Sequence, residues 1–119
     1  MDAVRLRVEP WEKKIPMYMA AIGSSGWETA ARIADGVSTI WGEGINKLRH
    51  QYLGSNPLPV AVLVPFSVTI PNFFPNQLQS VDVLVKRVAE LEEAGFDEII
   101  IAYGDRKDLE LIAGTFRGK

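Results

Sequence analysis

Four consecutive residues, Gly23-Ser24-Ser25-Gly26, carry the strongest chemical suggestion in this 119-residue sequence. They stand between an apolar run and an amphipathic stretch, where a strand's C-terminal end hands over to a helix N-terminus. Glycines let a ligand approach the backbone closely, and serine hydroxyls add donors. The first turn of a helix offers unpaired N–H groups and a partial positive charge. Such a junction suits a phosphate. The same residues also read as a tight turn with a serine N-cap, and their spacing is neither GxGxxG nor a Walker loop.

The remaining chemistry-bearing residues are dispersed. His50 is the single histidine; it sits between Arg49 and Gln51 with no second histidine to share a metal, and reads as a solvated surface residue. Asp35, beside Gly36, reads as a helix-end residue bonding nearby backbone, with a catalytic role as the alternative. Glu90, Glu92 and Glu93 fall on the polar side of an amphipathic stretch. Phe66, Phe73 and Phe74, among Pro65, Pro71 and Pro75, make an apolar loop just past a strand. That loop could line a ring-binding pocket, cover an interface or fold back over the core. Trp11 and Trp41 read as core or interface residues. No acid/base pair or nucleophile converges on the glycine/serine loop, so no residue is assigned a catalytic role.

The elements that must position these residues follow a repeating order. Pro16–Ile22 is an apolar run suited to a strand buried on both faces. After the loop, Trp27, Ala30, Ala31, Ala34 and Val37 keep helical spacing, with Gly36 suited to the helix end. A short strand near Val37–Trp41 and a helix from about Glu43 to Leu53 form a second, weaker unit, broken by Gly54-Ser-Asn-Pro57. Pro59–Pro65 is a second continuous apolar run. Asn76 and Gln79 resemble a capping box before a helix with Val81, Leu84, Val85, Val88 and Leu91 inward, ended by Gly95. Asp97–Tyr103 is the fourth strand; Asp105 can cap a last helix with Leu109, Ile112, Ala113 and Phe116 facing inward. Strands alternating with long helices imply an α/β domain of about four βα units with parallel strands. It fits either half of a (β/α)8 barrel or a small open, doubly wound sheet.

The chain is one domain's worth, residues 1–119, with 47% apolar and 24% charged residues. A formal net charge of −2 and scattered bases argue against a nucleic-acid surface. The absence of cysteine excludes disulfides and thiolate chemistry and fits a reducing compartment. Residues 1–9 have no apolar core of a signal peptide, and Val60–Phe66 is far too short to span a bilayer. A cytoplasmic domain free of membrane is expected.

Two stretches resemble a known family. Ile15-Pro-Met-Tyr-Met-Ala-Ala-Ile-Gly23, the Ser24-Ser25-Gly26 loop, and Ala30-Ala-Arg-Ile-Ala-Asp-Gly-Val37 are similar to the luciferase-like oxidoreductase superfamily of flavin-dependent monooxygenases and deazaflavin-dependent reductases. Val85–Ile101, with its Glu-Ala-Gly-Phe-Asp core, is similar to the family's last barrel helix and strand. The resemblance covers roughly Leu6 to Arg117 and implies the C-terminal portion of a TIM barrel. It also implies that Gly23, Ser24, Ser25 and Gly26 help hold the phosphate of FMN or of a deazaflavin coenzyme. The family's N-terminal barrel strands have no counterpart here. A truncated or short oxidoreductase domain, incomplete for catalysis by itself, is therefore expected, with a non-catalytic assembly or binding module of barrel ancestry as the alternative. Four units leave edges and one face open, so the chain is expected to self-associate as a homodimer.

Overall fold

The computed structural model describes residues 16–55 and 57–117. Four strand–helix units follow one another: β1 (Tyr18–Ala20), α1 (Ser24–Ile33), β2 (Gly36–Ile40), α2 (Ile45–Leu53), β3 (Val60–Phe66), α3 (Val81–Glu93), β4 (Glu98–Tyr103) and α4 (Arg106–Phe116). The strands form one parallel sheet in the order β1-β2-β3-β4. The fold is α/β, as the alternating pattern implies. A doubly wound sheet reverses its strand order at a switch point; this one runs in sequence, the order that consecutive barrel strands have.

Sequential order fixes the layering. When every crossover has the same hand and every step goes the same way, all helices land on one face. The core agrees with that placement. Val37, Val60, Val62, Val64 and Phe66 point from the sheet into one cluster with Trp27 and Ala30 of α1, Ile45 and Leu53 of α2, and Leu84 and Leu91 of α3. Ile112 and Phe116 of α4 pack on its margin. The register puts Ile40, Leu63 and Ile100 in one row on the opposite face.

β3 is the longest strand and the best buried, with only Leu63 half-exposed. Its Pro65 would be out of place in the middle of a ladder. The last β2–β3 bond runs from Trp41 N–H to Leu63 O at 2.8 Å, so Pro65 faces a side β2 has already left. Leu78 fills that side instead, donating to Pro65 O and accepting from Ser67 N–H, both at 2.9 Å.

Several elements differ from the sequence expectation. The first strand pairs over three residues only, and Tyr18 and Ala20 are exposed rather than buried on both faces. Val37 belongs to β2, not to the first helix, because the chain extends at Ala34 (ψ 160°). Gly36 opens that strand; the Tyr18 ring occupies the space a Cβ would need, 2.6 Å away. The Asn76/Gln79 capping box does not form: α3 starts at Val81 behind Ser80, and Asn76 is left-handed at φ 61°. Leu109 is 42% exposed, since Asp108 takes the inward position of that turn. Trp11 lies outside the described residues.

Core and surface leucines should therefore separate cleanly. Leu84→Ala is expected to cost about 2–5 kcal/mol and Leu109→Ala no more than about 0.5 kcal/mol, read from urea unfolding midpoints. Equal costs would contradict the helix orientation.

Candidate functional site

All four strands point their C-terminal ends the same way, so the loops after β1, β2, β3 and β4 share one edge of the sheet. In parallel α/β folds that edge binds ligands. Two distinct features occur there.

The first is the loop after β1. Gly23 is the N-cap of α1 in extended conformation, and no side chain caps the helix. Ser24 and Ser25 lie inside the first turn rather than at the cap, which removes the serine N-cap reading. Both are exposed, and Ser25 O accepts from Thr29 Oγ1 at 2.9 Å. The first-turn N–H groups of Ser24, Ser25 and Gly26 thus have no side-chain cap. Open space surrounds Gly23, whereas a Cβ on Gly26 would come within 3.2 Å of Ala21 Cα. Gly26 lets the helix start directly against the end of the strand.

A cavity of about 290 Å³ adjoins that loop. Ile22, Ile40, Trp41 and Phe74 give it an apolar wall, and Thr39, Asn76 and the Glu43 carboxylate add polar groups. Its size is near the lower end for small-molecule sites and suits a single ring system. Phe74 stands edge-on to Phe73, with centroids 6.0 Å apart. Phe66, by contrast, is fully buried in β3. The Arg87 guanidinium lies 3.6 Å over the Trp41 ring, and its Nε pairs with Glu90 at 3.4 Å. Its Nη1 is buried without a partner.

The second feature is a polar knot that the sequence reading missed. Asp108, in the first turn of α4, is fully buried. Its carboxylate accepts from Ser67 Oγ (2.6 Å), Val68 N–H (2.9 Å), Thr69 Oγ1 (3.0 Å), Gly104 N–H (3.1 Å) and Asp105 N–H (3.0 Å). Burial pushes this carboxyl up, but the bonds from Ser67, Val68, Asp105 and Thr69 outweigh it and hold the pKa at about 2. Ser67 Oγ in turn accepts from Thr69 N–H and Ile70 N–H. Gly104 is required, because a Cβ there would meet Ser67 Oγ at 2.7 Å. Gln77 continues the bracing: its Oε1 accepts from Phe73 N–H and its Nε2 donates to Ile70 O. The knot thus fastens the loop that carries Phe74 to the start of α4. A signal for it existed in the Asp105-x-x-Asp108 spacing, which forms the observed capping box.

The other sequence candidates lie apart. Asp35 lies beyond the end of α1, and its Oδ2 accepts from Met17 N–H at 2.8 Å, just before β1, so it ties the entry of β2 to that of β1. His50 is exposed and borders a larger hollow, about 470 Å³, at the opposite edge of the sheet. Charges in that hollow are already engaged: Arg49 donates to Ala94 O and lies over the Phe96 ring, and Asp97 Oδ2 accepts from Val60 N–H. Size alone does not recommend it, since that edge of βα folds serves stability. Glu90, Glu92 and Glu93 are exposed. Among the described residues no group of three His, Cys, Asp or Glu side chains could hold a metal, and no helix is long and apolar enough to cross a membrane.

The knot makes acid stability specific. The Asp108 carboxyl sits at about 2 folded against an ordinary 3.8, so it contributes about 2 kcal/mol above pH 4, lost as pH falls from 4 towards 2. Asp108→Asn should cost about 3 kcal/mol at pH 7 and flatten that acid limb, measured by urea unfolding across pH. An unchanged limb would remove Asp108 as its source.

No protein-family model matches this chain, and no curated protein matches it.

Proposed function

We infer that the chain binds a phosphorylated, ring-bearing cofactor of the flavin or deazaflavin kind at the C-terminal edge of its sheet, in the manner of a luciferase-like oxidoreductase domain. One adjacency carries this reading. Ile22, in the wall of the apolar cavity, directly precedes the uncapped helix start at Gly23–Gly26. FMN and the deazaflavin coenzymes join a flat ring to a phosphate through a short linker. Residues Gly23, Ser24, Ser25 and Gly26 would hold the phosphate through backbone N–H groups and the two hydroxyls. Ile40, Trp41 and Phe74 would contact the ring. Such a cofactor supplies hydride or electron transfer when bound.

The chain's own contribution is binding and orientation. The Ser67 hydroxyl and Asp108 carboxylate at this edge are consumed by their mutual bond and by backbone N–H groups. Stabilising a transition state needs donors on several sides of the reacting centre. Little turnover is therefore expected from this chain alone. A second reading, a non-catalytic assembly module, is favoured by apolar side chains left exposed on the outer described strands, Tyr18 at 46% and Ile100 at 41%. Self-association would cover them.

Titration calorimetry with FMN, riboflavin and a deazaflavin coenzyme tests the cofactor reading. FMN should bind about tenfold more tightly than riboflavin, which lacks the phosphate, a difference of about 1.4 kcal/mol. Ser24→Asp with Ser25→Asp should erase that difference, and Phe74→Ala should weaken both ligands. Absence of binding by FMN and deazaflavin alike, or an FMN affinity untouched by the two aspartates, would overturn it.

A further inference from the structure

Among the described residues, three hydroxyl-bearing or charged side chains are buried: Thr39, Ser67 and Asp108. Ser67 and Asp108 bond each other in the knot. Thr39, 5% exposed, has no hydrogen-bond partner among the described residues. A buried hydroxyl without a partner costs stability, so its place needs a cause.

The strand supplies the place. Val37 and Thr39 are two residues apart in β2 and share a face, and Val37 belongs to the core cluster. At position 39 an apolar side chain would continue that row and serve packing alone. Thr39 sits one step nearer the strand's C-terminal end, where it borders the cavity of about 290 Å³. Ile45 and Leu48 from α2 and Phe74 and Pro75 from the loop after β3 line the same cavity. These neighbours offer no side-chain hydrogen bond, so the partner left to the hydroxyl is whatever fills the cavity. Trp27 Nε1 and Arg87 Nη1 are also buried without partners, but neither residue lines this cavity.

Glu43 and Asn76 stand at the same cavity, both exposed, and neither side chain hydrogen-bonds within the described residues. A carboxylate only accepts, whereas a threonine hydroxyl and a primary amide both donate and accept. The set therefore suits a ring edge that carries a carbonyl beside an N–H. An edge of acceptors alone would leave Glu43 unmatched.

We propose that Thr39 and Glu43 are the specificity-determining residues of this cavity and take the imide edge of a flavin-type ring. The Thr39 hydroxyl donates to a ring carbonyl, and the Glu43 carboxylate accepts the imide N–H. This assignment rests on the cofactor reading and adds to it which end of the ring enters the cavity. Flavin and deazaflavin rings share that edge, so the pair accepts both and disfavours rings that lack it.

Thr39→Val is the decisive variant, because it keeps the shape of the side chain and removes the hydroxyl. A hydroxyl bonded within the fold is missed when it is removed; an unpartnered one is not. The urea midpoint of Thr39→Val should therefore hold or rise, while its affinity for FMN, by titration calorimetry, falls about tenfold. Thr39→Ser, which keeps a hydroxyl, should bind FMN within about threefold of the parent. The parent should bind FMN about tenfold more tightly than N3-methyl-FMN, and Glu43→Ala should remove that preference. An FMN affinity unchanged in Thr39→Val overturns the proposal. So does a lowered midpoint or a failure of that variant to fold, since the hydroxyl would then serve the fold. Equal affinities of the parent for FMN and N3-methyl-FMN overturn it as well. All three results leave the cofactor reading standing. No binding of FMN by the parent overturns the proposal, and no binding of the deazaflavin coenzyme either overturns the cofactor reading with it.

Discussion

Parallel strands laid down in chain order leave the crossover helices no choice of side. Each connection must return to the start of the next strand, and with one handedness it always passes over the same face. Trp27, Ile45, Leu53, Leu84 and Leu91 consequently share a single apolar layer on one side of β3. Among the described residues no helix lies on the other side of the sheet. In a doubly wound fold the strand order reverses and helices cover both faces; the described strands do not reverse.

The constraint also collects every β-to-α loop at one edge, and the two loops that matter are stabilised differently. At Gly23–Gly26 the helix begins without a cap, leaving N–H groups for solvent or an anion. At Gly104–Asp108 the helix begins with a reciprocal cap and buries a full charge. A buried carboxylate is costly unless its lone pairs are filled, and five donors fill those of Asp108. Three of the donors come from the loop after β3, so the cost of burial is offset only when that loop is in place. Loop and helix therefore order each other, and Phe74 inherits a fixed position at the cavity rim.

Which of this the sequence revealed depends on the range of the interaction. The runs around Val60–Val64 and Ile99–Ala102 were legible because β-branched residues in continuous stretches have few other uses. Asp105 as a cap was legible from local spacing. Pro16–Ile22 misled: only Tyr18–Ala20 pairs, at one edge of the described sheet, with Tyr18 and Ala20 exposed, and composition does not distinguish such a strand from one buried on both faces. Helical periodicity carried Val37 into α1, although the backbone had already extended at Ala34. Asn76 and Gln79 imitated a capping box, while Gln77 does the bracing. Asp108 was invisible to an apolar pattern because the inward position it fills is charged, and that shifted Leu109 to the surface.

The site followed the same division. A strand–glycine/serine–helix junction is a local feature and was found at its true place. The cavity beside it is assembled from Ile22, Trp41 and Phe74, which follow three different strands, so no window of sequence contains it. Only the sequential strand order brings those three loops together. The order therefore gives the edge its pocket, and a ligand held there would meet side chains from three successive units at once.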